Sequence, residues 1–329
     1  MKRHNDKQQV LIACLADGKF HSGESLATKL GISRTAVWKR IKLLAELELD
    51  VFAVRGKGYR LSQAIDLLNE SEIRENLSKE VGVSITSINI LPVTESTNLY
   101  LFRHSEQSNK YAAVAIAEYQ HAGKGRRGNN WVSPYASGLC LSMSWHFDST
   151  PASVMALSLA TGVVVCSSLR EMGLSSVGLK WPNDIVSSGK KLGGILLESK
   201  SESAGACDIV IGIGLNVNLP EKVFSDIEQP ITDLRKLSGR AVSRNILAGN
   251  IIEKLWKMLG RFQTTGFKPF IEEWRNFDEL KGHKGKLIMP NETLSGDILG
   301  IDDNGLLLMS INGETRSFSS GELSLRVVT

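Results

Sequence analysis

Apolar positions change their spacing along this chain of 329 residues. Between Val10 and Leu47 they recur every three or four residues, the repeat that places them on one side of a helix. Val10, Leu11 and Leu15, ahead of Asp17-Gly18, predict a short first helix. Leu26, Ala27 and Leu30 behind Ser22 predict a second, because a serine oxygen can accept from a first-turn N–H that has no partner within the helix. Gly31 supplies the left-handed backbone of a tight turn. Ser33 is placed to cap a third helix over residues 34–47, with Val37, Ile41 and Leu44 on its inner stripe. The repeat then falls to that of strands at residues 50–54 and 59–61, on either side of the turn Arg55-Gly56-Lys57-Gly58. Three helices followed by a hairpin predict a winged helix-turn-helix.

A hinge is expected near residues 62–66. Beyond it, strand-like runs (112–117, 139–145, 191–198 and 209–217) alternate with two helical stretches. One covers residues 154–172 and stops at Gly173. The other covers 245–264, with an apolar stripe at Ile246, Ile252, Leu255, Met258 and Leu259. From Lys284 the pattern changes to short strands separated by Pro290-Asn291, Asp303-Asn304-Gly305 and Asn312-Gly313, turn signals at the close spacing of a small β-barrel. The expected architecture is α+β and multidomain: head 1–63, central domain 64–277, barrel 278–329.

Charge sharpens this division. Residues 1–63 hold 12 Lys and Arg against 6 Asp and Glu, while the remainder holds 27 against 29. A basic head on a near-neutral body attracts a polyanion. The candidate DNA contacts are Ser33, Arg34, Thr35, Lys39 and Arg40 on the third helix, with Arg55 and Lys57 at the wing. A winged helix used only for protein contacts is the alternative, and the charge asymmetry weighs against it. A long uncharged stretch, 151–169, is rich in Ser, Thr and Gly and reads as a buried helix rather than a membrane span. Cys14, Cys140, Cys166 and Cys207 are scattered without a CxxC, which predicts reduced thiols, a cytoplasmic setting and no structural metal site.

The chemistry lies in three blocks, none of them a Walker loop or a GxGxxG turn. Gly123-Lys124-Gly125-Arg126-Arg127-Gly128 combines free backbone with three cations that want an anion between them. Lys180-Trp181-Pro182-Asn183-Asp184 forces an extended segment, since a residue before proline avoids helix. It is followed by Lys191-Leu192-Gly193-Gly194. Ile211-Gly212-Ile213-Gly214-Leu215-Asn216 is a strand with gaps at alternate positions. A basic surface loop, a packing Trp-Pro and ordinary glycine turns would each explain one block, but not all of them in this order.

Together with Glu95-Ser96-Thr97-Asn98, these blocks resemble the signature segments of biotin–protein ligases. The head and tail resemble the bacterial bifunctional form, which is also the biotin-operon repressor. The resemblance covers essentially the whole chain. It implies a class II synthetase-like mixed sheet with helices in the centre and an SH3-like barrel at the end. It implies biotin, ATP and Mg2+, with biotinyl-5'-AMP as the intermediate and a lysine of biotin carboxyl carrier protein as the acceptor. It further implies operator DNA as a partner and a homodimer when the adenylate is bound, with no membrane role. By position, Ser96, Thr97, Asn98 and Gln120 fall to the biotin ring system. Lys124, Gly125 and Arg126 fall to the loop over biotin and the adenylate, and Lys191 to the biotin carboxylate and α-phosphate. Arg127, Asn183, Asp184 and Asn216 fall to the nucleotide side. Lys191, Arg126 and Asp184 are the catalytic candidates, Asp184 either facing the acceptor amine or paired structurally with Lys180. Lys124 stands where the family commonly has arginine, which removes a bidentate fork but keeps the charge. No stacking aromatic is assigned near residues 230–240. A biotinyl-adenylate sensor without turnover and a lipoate-type ligase are the competing readings. The first is disfavoured by the presence of both Lys191 and Arg126, the second by the cationic loop and the head.

Overall fold

The computed structural model describes residues 2–104, 112–148, 154–201, 206–289, 292–319 and 323–327. The head opens with α1 (Lys2–Leu15), longer than the short helix expected, followed by α2 (Gly23–Leu30) and α3 (Arg34–Leu43). Both capping serines act as caps. Ser22 Oγ accepts from the Ser25 amide at 3.0 Å, and Ser33 Oγ from the Ala36 amide at 3.2 Å. α3 ends at Leu43, short of the predicted 47, because the chain tightens into a 3-10 turn over Leu44–Leu47. Leu44 stays fully buried through that change. The apolar stripe therefore runs across the boundary without marking it.

The wing is β1 (Val51–Val54) paired antiparallel with β2 (Gly58–Leu61). Tyr59 extends it by exchanging backbone bonds with His21 at 2.8 and 2.9 Å. A Cβ on Gly58 would lie 2.0 Å from the His21 carbonyl oxygen, so this crossing admits only glycine.

The expected hinge is instead tied down. The Ser62 amide donates to Asp50 O and the Ile65 amide to Ala16 O, both at 2.9 Å. Asp66 accepts from the Arg244 backbone amide at 2.7 Å and, through its carbonyl, from Arg244 Nε at 2.9 Å. The same guanidinium donates to Gly138 O at 3.1 Å and to Glu118 Oε2 at 2.6 Å. Glu118 Oε1 accepts from the Leu68 amide at 2.6 Å. Arg244 and Glu118 are both fully buried, a placement that ion pairs withstand only when their remaining bonding groups are also satisfied. Beside this anchor, Tyr135 and Ala136 of the central domain join the head's apolar cluster with Leu11, Leu15 and Leu44.

The central domain runs α4 (Glu70–Glu75), α5 (Lys79–Ser84), β3 (Ile85–Leu91), α6 (Thr97–His104), β4 (Ala112–Ala117), β5 (Gly138–Phe147), α7 (Val154–Glu171), β6 (Val177–Lys180), β7 (Asp184–Ser187), β8 (Lys190–Ser201), β9 (Cys207–Asn216), α8 (Glu221–Asp226), α9 (Leu234–Ser238), α10 (Arg244–Thr265) and α11 (Ile271–Phe277). Its seven strands lie in the order β3-β4-β5-β9-β8-β7-β6. The first pair is parallel and the others antiparallel. Strand alternation divides the faces. Ile116, Leu141, Ile211 and Ile213 pack into the large core shared with α7 and α10, while Ala115 and Val210 meet Leu101 of α6 on the other side. Ile252, Leu255, Met258 and Leu259 of α10 are buried as expected, but Ile246 is 45% exposed. The inward stripe of that helix runs through Arg244, Ala248, Ile251 and Leu255, which leaves residue 246 on the outer side.

The tail forms β10 (Lys284–Ile288), β11 (Thr293–Ile301), β12 (Leu307–Ile311), β13 (Glu314–Phe318) and β14 (Ser324–Val327), antiparallel in the order β13-β12-β11-β10-β14. Asn312 and Gly313, at φ +54° and +85°, make the two-residue hairpin predicted for them. The turn expected at Pro290-Asn291 lies outside the described residues. Leu287, Ile298, Met309 and Leu325 continue the central core, and Trp181 Nε1 donates to Gly305 O at 3.1 Å across the seam. Among the described residues no helix is long and apolar enough to cross a membrane. All four cysteines are free.

Candidate active site and nucleic-acid face

The three blocks line one cavity of about 1520 Å³ over the ends of β5, β9 and β8. That exceeds the roughly 300–1,000 Å³ of a pocket for one small ligand, so two reactants fit. Ser96, Thr97, Asn98, Gln120, Lys124, Gly125, Arg126, Arg127, Asn183, Asp184, Lys191 and Asn216 all line it. The fold thus brings together every candidate of the central domain.

One end is polar and internally bonded. Residues 94–95 bond to the chain just after β4, with Thr94 N on Tyr119 O at 3.1 Å and Ala122 N on Glu95 O at 3.1 Å. This sets the start of α6 beside Gln120, whose Oε1 lies 2.8 Å from the Thr97 amide and 3.1 Å from Thr97 Oγ1. Ser142 Oγ, on β5, lies 2.6 Å from both Thr97 Oγ1 and Asn98 Oδ1. Asn98 Nδ2 donates to Glu198 Oε2 at 2.7 Å and to Leu196 O at 3.3 Å, both on β8. The glycine gaps of β9 are explained by the protein's own side chains. A Cβ on Gly212 would strike the Asn98 amide at 2.5 Å, and one on Gly214 the Trp131 indole at 2.6 Å.

The other end is cationic. The loop after β4 is pinned at its base, Gly125 N donating to Asn129 O at 2.7 Å and Trp131 N to Gly123 O at 2.9 Å. Arg127 stands at φ +59° and is exposed, as is Lys124, while Arg126 is half-buried with Nη1 3.4 Å from Asn183 Oδ1. Across the cavity, Lys191 Nζ lies 2.7 Å from Asp184 Oδ1. The structural pairing considered for Asp184 was with Lys180. Lys180 is its cross-strand neighbour, but the ion pair is with Lys191. Gly194 lies beside them, where a Cβ would stand 3.7 Å from Lys191 Nζ and 3.8 Å from Asp184 Oδ1, at ordinary contact with both. Burial holds the Arg126 guanidinium and the Lys180 ammonium below their usual ranges, with Asp184 working against that shift in both. Six Lys and Arg but three carboxylates line the cavity among the described residues. Such a site favours an incoming anion.

Residues 230–232 close this end. The Lys191 amide donates to Pro230 O, the Thr232 amide to Lys191 O, and Asn216 Nδ2 to Thr232 O, at 2.9, 2.9 and 3.0 Å. Pro230 and Ile231 line the cavity, and the large aromatic surfaces come from Trp131 and Trp181 instead. Trp131, Ser142 and Glu198 escaped the sequence reading. Each is a single residue without a telling spacing, and only strand pairing shows which way it faces.

In the head, Arg34, Thr35, Lys39, Arg55 and Lys57 are exposed, and Ser33 is exposed beyond its cap. Arg40 is half-buried against Gln8. Two features were not anticipated: exposed Trp38 under Lys42 Nζ at 3.8 Å, and Arg60 stacked between Phe20 and Phe52 at 5.3 and 4.8 Å.

Residues 90–216 match the biotin/lipoate A/B protein ligase family, residues 7–60 a helix-turn-helix domain, and residues 286–326 the biotin protein ligase C-terminal domain. The chain is 40% identical over 316 residues to the bifunctional ligase/repressor BirA of Escherichia coli (strain K12), covering 96% of each. It is 33% identical over 312 residues to the protein of the same name from Bacillus subtilis (strain 168), covering 94% of this chain and 95% of that one. The fold aligns with the biotin protein ligase of Aquifex aeolicus solved with biotin and ATP. The TM-score is 0.63 and the identity 26%, over 74% of this chain and all of that one. The chain belongs to the bifunctional ligase/repressor family of biotin protein ligases.

Proposed function

We propose that this member of the family is an ATP-dependent biotin–protein ligase that forms biotinyl-5'-AMP, passes biotin to a lysine of biotin carboxyl carrier protein, and represses the biotin operon when the adenylate is bound. The observation that carries the reading is one cavity joining a bonded polar network to an end where six Lys and Arg meet three carboxylates among the described residues. Ser96, Thr97, Asn98 and Gln120 hold the ring system of biotin. Its carboxylate then points towards Lys191 and Arg126, where Asn183, Asp184, Asn216, Lys124 and Arg127 receive the nucleotide.

A biotin carboxylate oxygen attacks the α-phosphorus of ATP, and the bond to pyrophosphate breaks. Both reactants are anions, so the residues act chiefly by offsetting charge as it gathers. Mg2+ carried by the phosphates of ATP would offset part of their charge, the usual mode for an ion that binds through few protein oxygens. Asp184 holds Lys191 in place beforehand. As phosphate charge draws Lys191 away, Asp184 is freed to orient or deprotonate the incoming lysine amine. The amine attacks the acyl carbon and AMP leaves. The loop over residues 123–128 keeps water from the mixed anhydride meanwhile.

For repression, the exposed cations of α3 and the wing meet operator phosphates and base edges. Two heads on a two-fold site require a dimer. The edge of β8 beyond Leu196 supports this, since β7 pairing stops at Gly194, Asn183 and Asn98 take up Ile195 and Leu196, and among the described residues β9 is then its partner strand on one side. The test combines the protein with biotin, ATP, Mg2+ and apo carrier domain and reads the carrier mass, in parallel with sedimentation and operator gel shift. Biotin-sized mass gain, and dimerisation with operator binding only when biotin and ATP are both present, are the expected results. No mass gain would overturn the ligase reading. Operator binding unaffected by biotin and ATP would overturn the coupled repressor.

A further inference from the structure

Hydroxyl groups can donate or accept, so a row of them has two possible proton directions and needs something at one end to choose. The row here runs Gln120, Thr97, Ser142, Asn98, Glu198 and crosses from the end of β4 over β5 to β8. Ser142, in the middle of the row, is fully buried, and Thr97 and Asn98 nearly so, which leaves the direction to the groups at the two ends. We infer that Glu198 is the positioning residue that sets it, and through it the face Thr97 offers to the ureido ring of biotin. The inference rests on the biotin reading above.

The steps follow from bonding capacity. Glu198 Oε2 and Leu196 O are acceptors only, at 2.7 and 3.3 Å from Asn98 Nδ2. The amide nitrogen must face them, and both its protons are used there. Asn98 Oδ1 then faces Ser142 and takes that residue's one proton over 2.6 Å. Ser142 Oγ, its proton spent, accepts from Thr97 Oγ1 over 2.6 Å. Thr97 has no proton left for Gln120 Oε1, which keeps the Thr97 backbone amide at 2.8 Å. Thr97 Oγ1 therefore presents lone pairs to the cavity and accepts a ligand N–H. In the opposite direction Thr97 would donate to Gln120 Oε1, 3.1 Å away, and Asn98 would turn its carbonyl towards the Glu198 carboxylate and the Leu196 carbonyl. The carboxylate is the nearer of the two and the charged one, so it contributes most to excluding that arrangement.

The experiment is calorimetric titration of the full chain with biotin and with biotin methylated at each ureido nitrogen in turn. Wild-type protein is expected to bind the more affected analogue at least about tenfold more weakly than biotin, the size of one lost hydrogen bond. In Glu198→Ala the affinity for biotin is expected to fall about tenfold, while the affinity for that analogue stays within about twofold. The penalty for methylation is thereby erased. Glu198→Gln keeps an acceptor oxygen and is expected to restore most of the loss, with melting temperatures of both variants near wild type. A Glu198→Ala protein that weakens both ligands equally, or neither, would overturn the inference. Wild-type protein that binds no biotin would overturn the functional reading beneath it.

Discussion

The two ends of the cavity solve opposite problems. At the polar end, Thr97, Asn98, Ser142 and Gln120 are already bonded to one another and to Glu198, so their positions are set before a ligand arrives. At the cationic end, Arg126 and Lys180 are held where burial disfavours their charge, with Asp184 shared among their neighbours. The first arrangement suits recognition of a neutral, shaped ring. The second suits anions that build up charge during reaction. Binding and chemistry are thus divided in space, and substitutions at the two ends should separate them.

The strongest separation is expected at Lys191. Lys191→Ala should slow adenylation about 100-fold, the typical cost of removing one preorganised charge-stabilising group. Biotin affinity measured without ATP should change far less. Pyrophosphate release and calorimetry on the same protein check this, and a parallel fall of both would join the two ends into one unit.

Gly212→Ala attacks the other end. Its new Cβ meets the Asn98 amide at 2.5 Å, so Asn98 must leave its place between Ser142 and Glu198. Biotin affinity is expected to fall about tenfold, as one or more buried bonds are lost. The single-turnover rate at saturating biotin should stay near wild type. A rate that falls while affinity holds would reverse the assignment.

Arg126→Gly should be the mildest for turnover, a few-fold, yet visible in where biotin goes. With the loop weaker at the cationic end, the mixed anhydride escapes and acylates bystander lysines. Mass spectrometry of added albumin reads this directly. Unlabelled albumin beside a labelled carrier would mean that the loop does not retain the adenylate.

The cationic end was more legible in the sequence than the polar end, for a physical reason. Lys124, Arg126, Arg127 and Lys191 sit beside glycines and a Trp-Pro, and clustered charge with free backbone stands out in any chain. Ser142 and Glu198 are polar residues in strands that carry other polar positions beside them, Ser144 and His146 in β5 and Ser199 in β8, so nothing local singles them out. Their meaning depends on the β5–β9–β8 register and on Asn98 reaching over Gly212, which no local spacing reveals. The same applies to the fold. Caps, turns and strand alternation placed most elements, including the Asn312-Gly313 hairpin. The reading failed where tertiary contacts override local pattern. Ile246 faces outward because Arg244 and Asn245 take the inward start of α10, and residues 62–66 are anchored because Arg244 reaches back to Asp66.

That anchor bears on how such a protein can be taken apart or recombined. Arg244 belongs to one domain by sequence, yet its bonds run to the linker, to the end of β4 and to the start of β5, while Tyr135 lies in the apolar cluster of the head. A cut at residue 63 would leave an aromatic ring bare and would loosen the segment whose Asp66 completes the shell of a buried ion pair. A foreign head joined there would have to supply its own socket for Tyr135. The interchangeable module is accordingly the head together with residues 62–68 and their contacts on the body, and a chimera that respects only the domain boundary inherits a seam with one side missing.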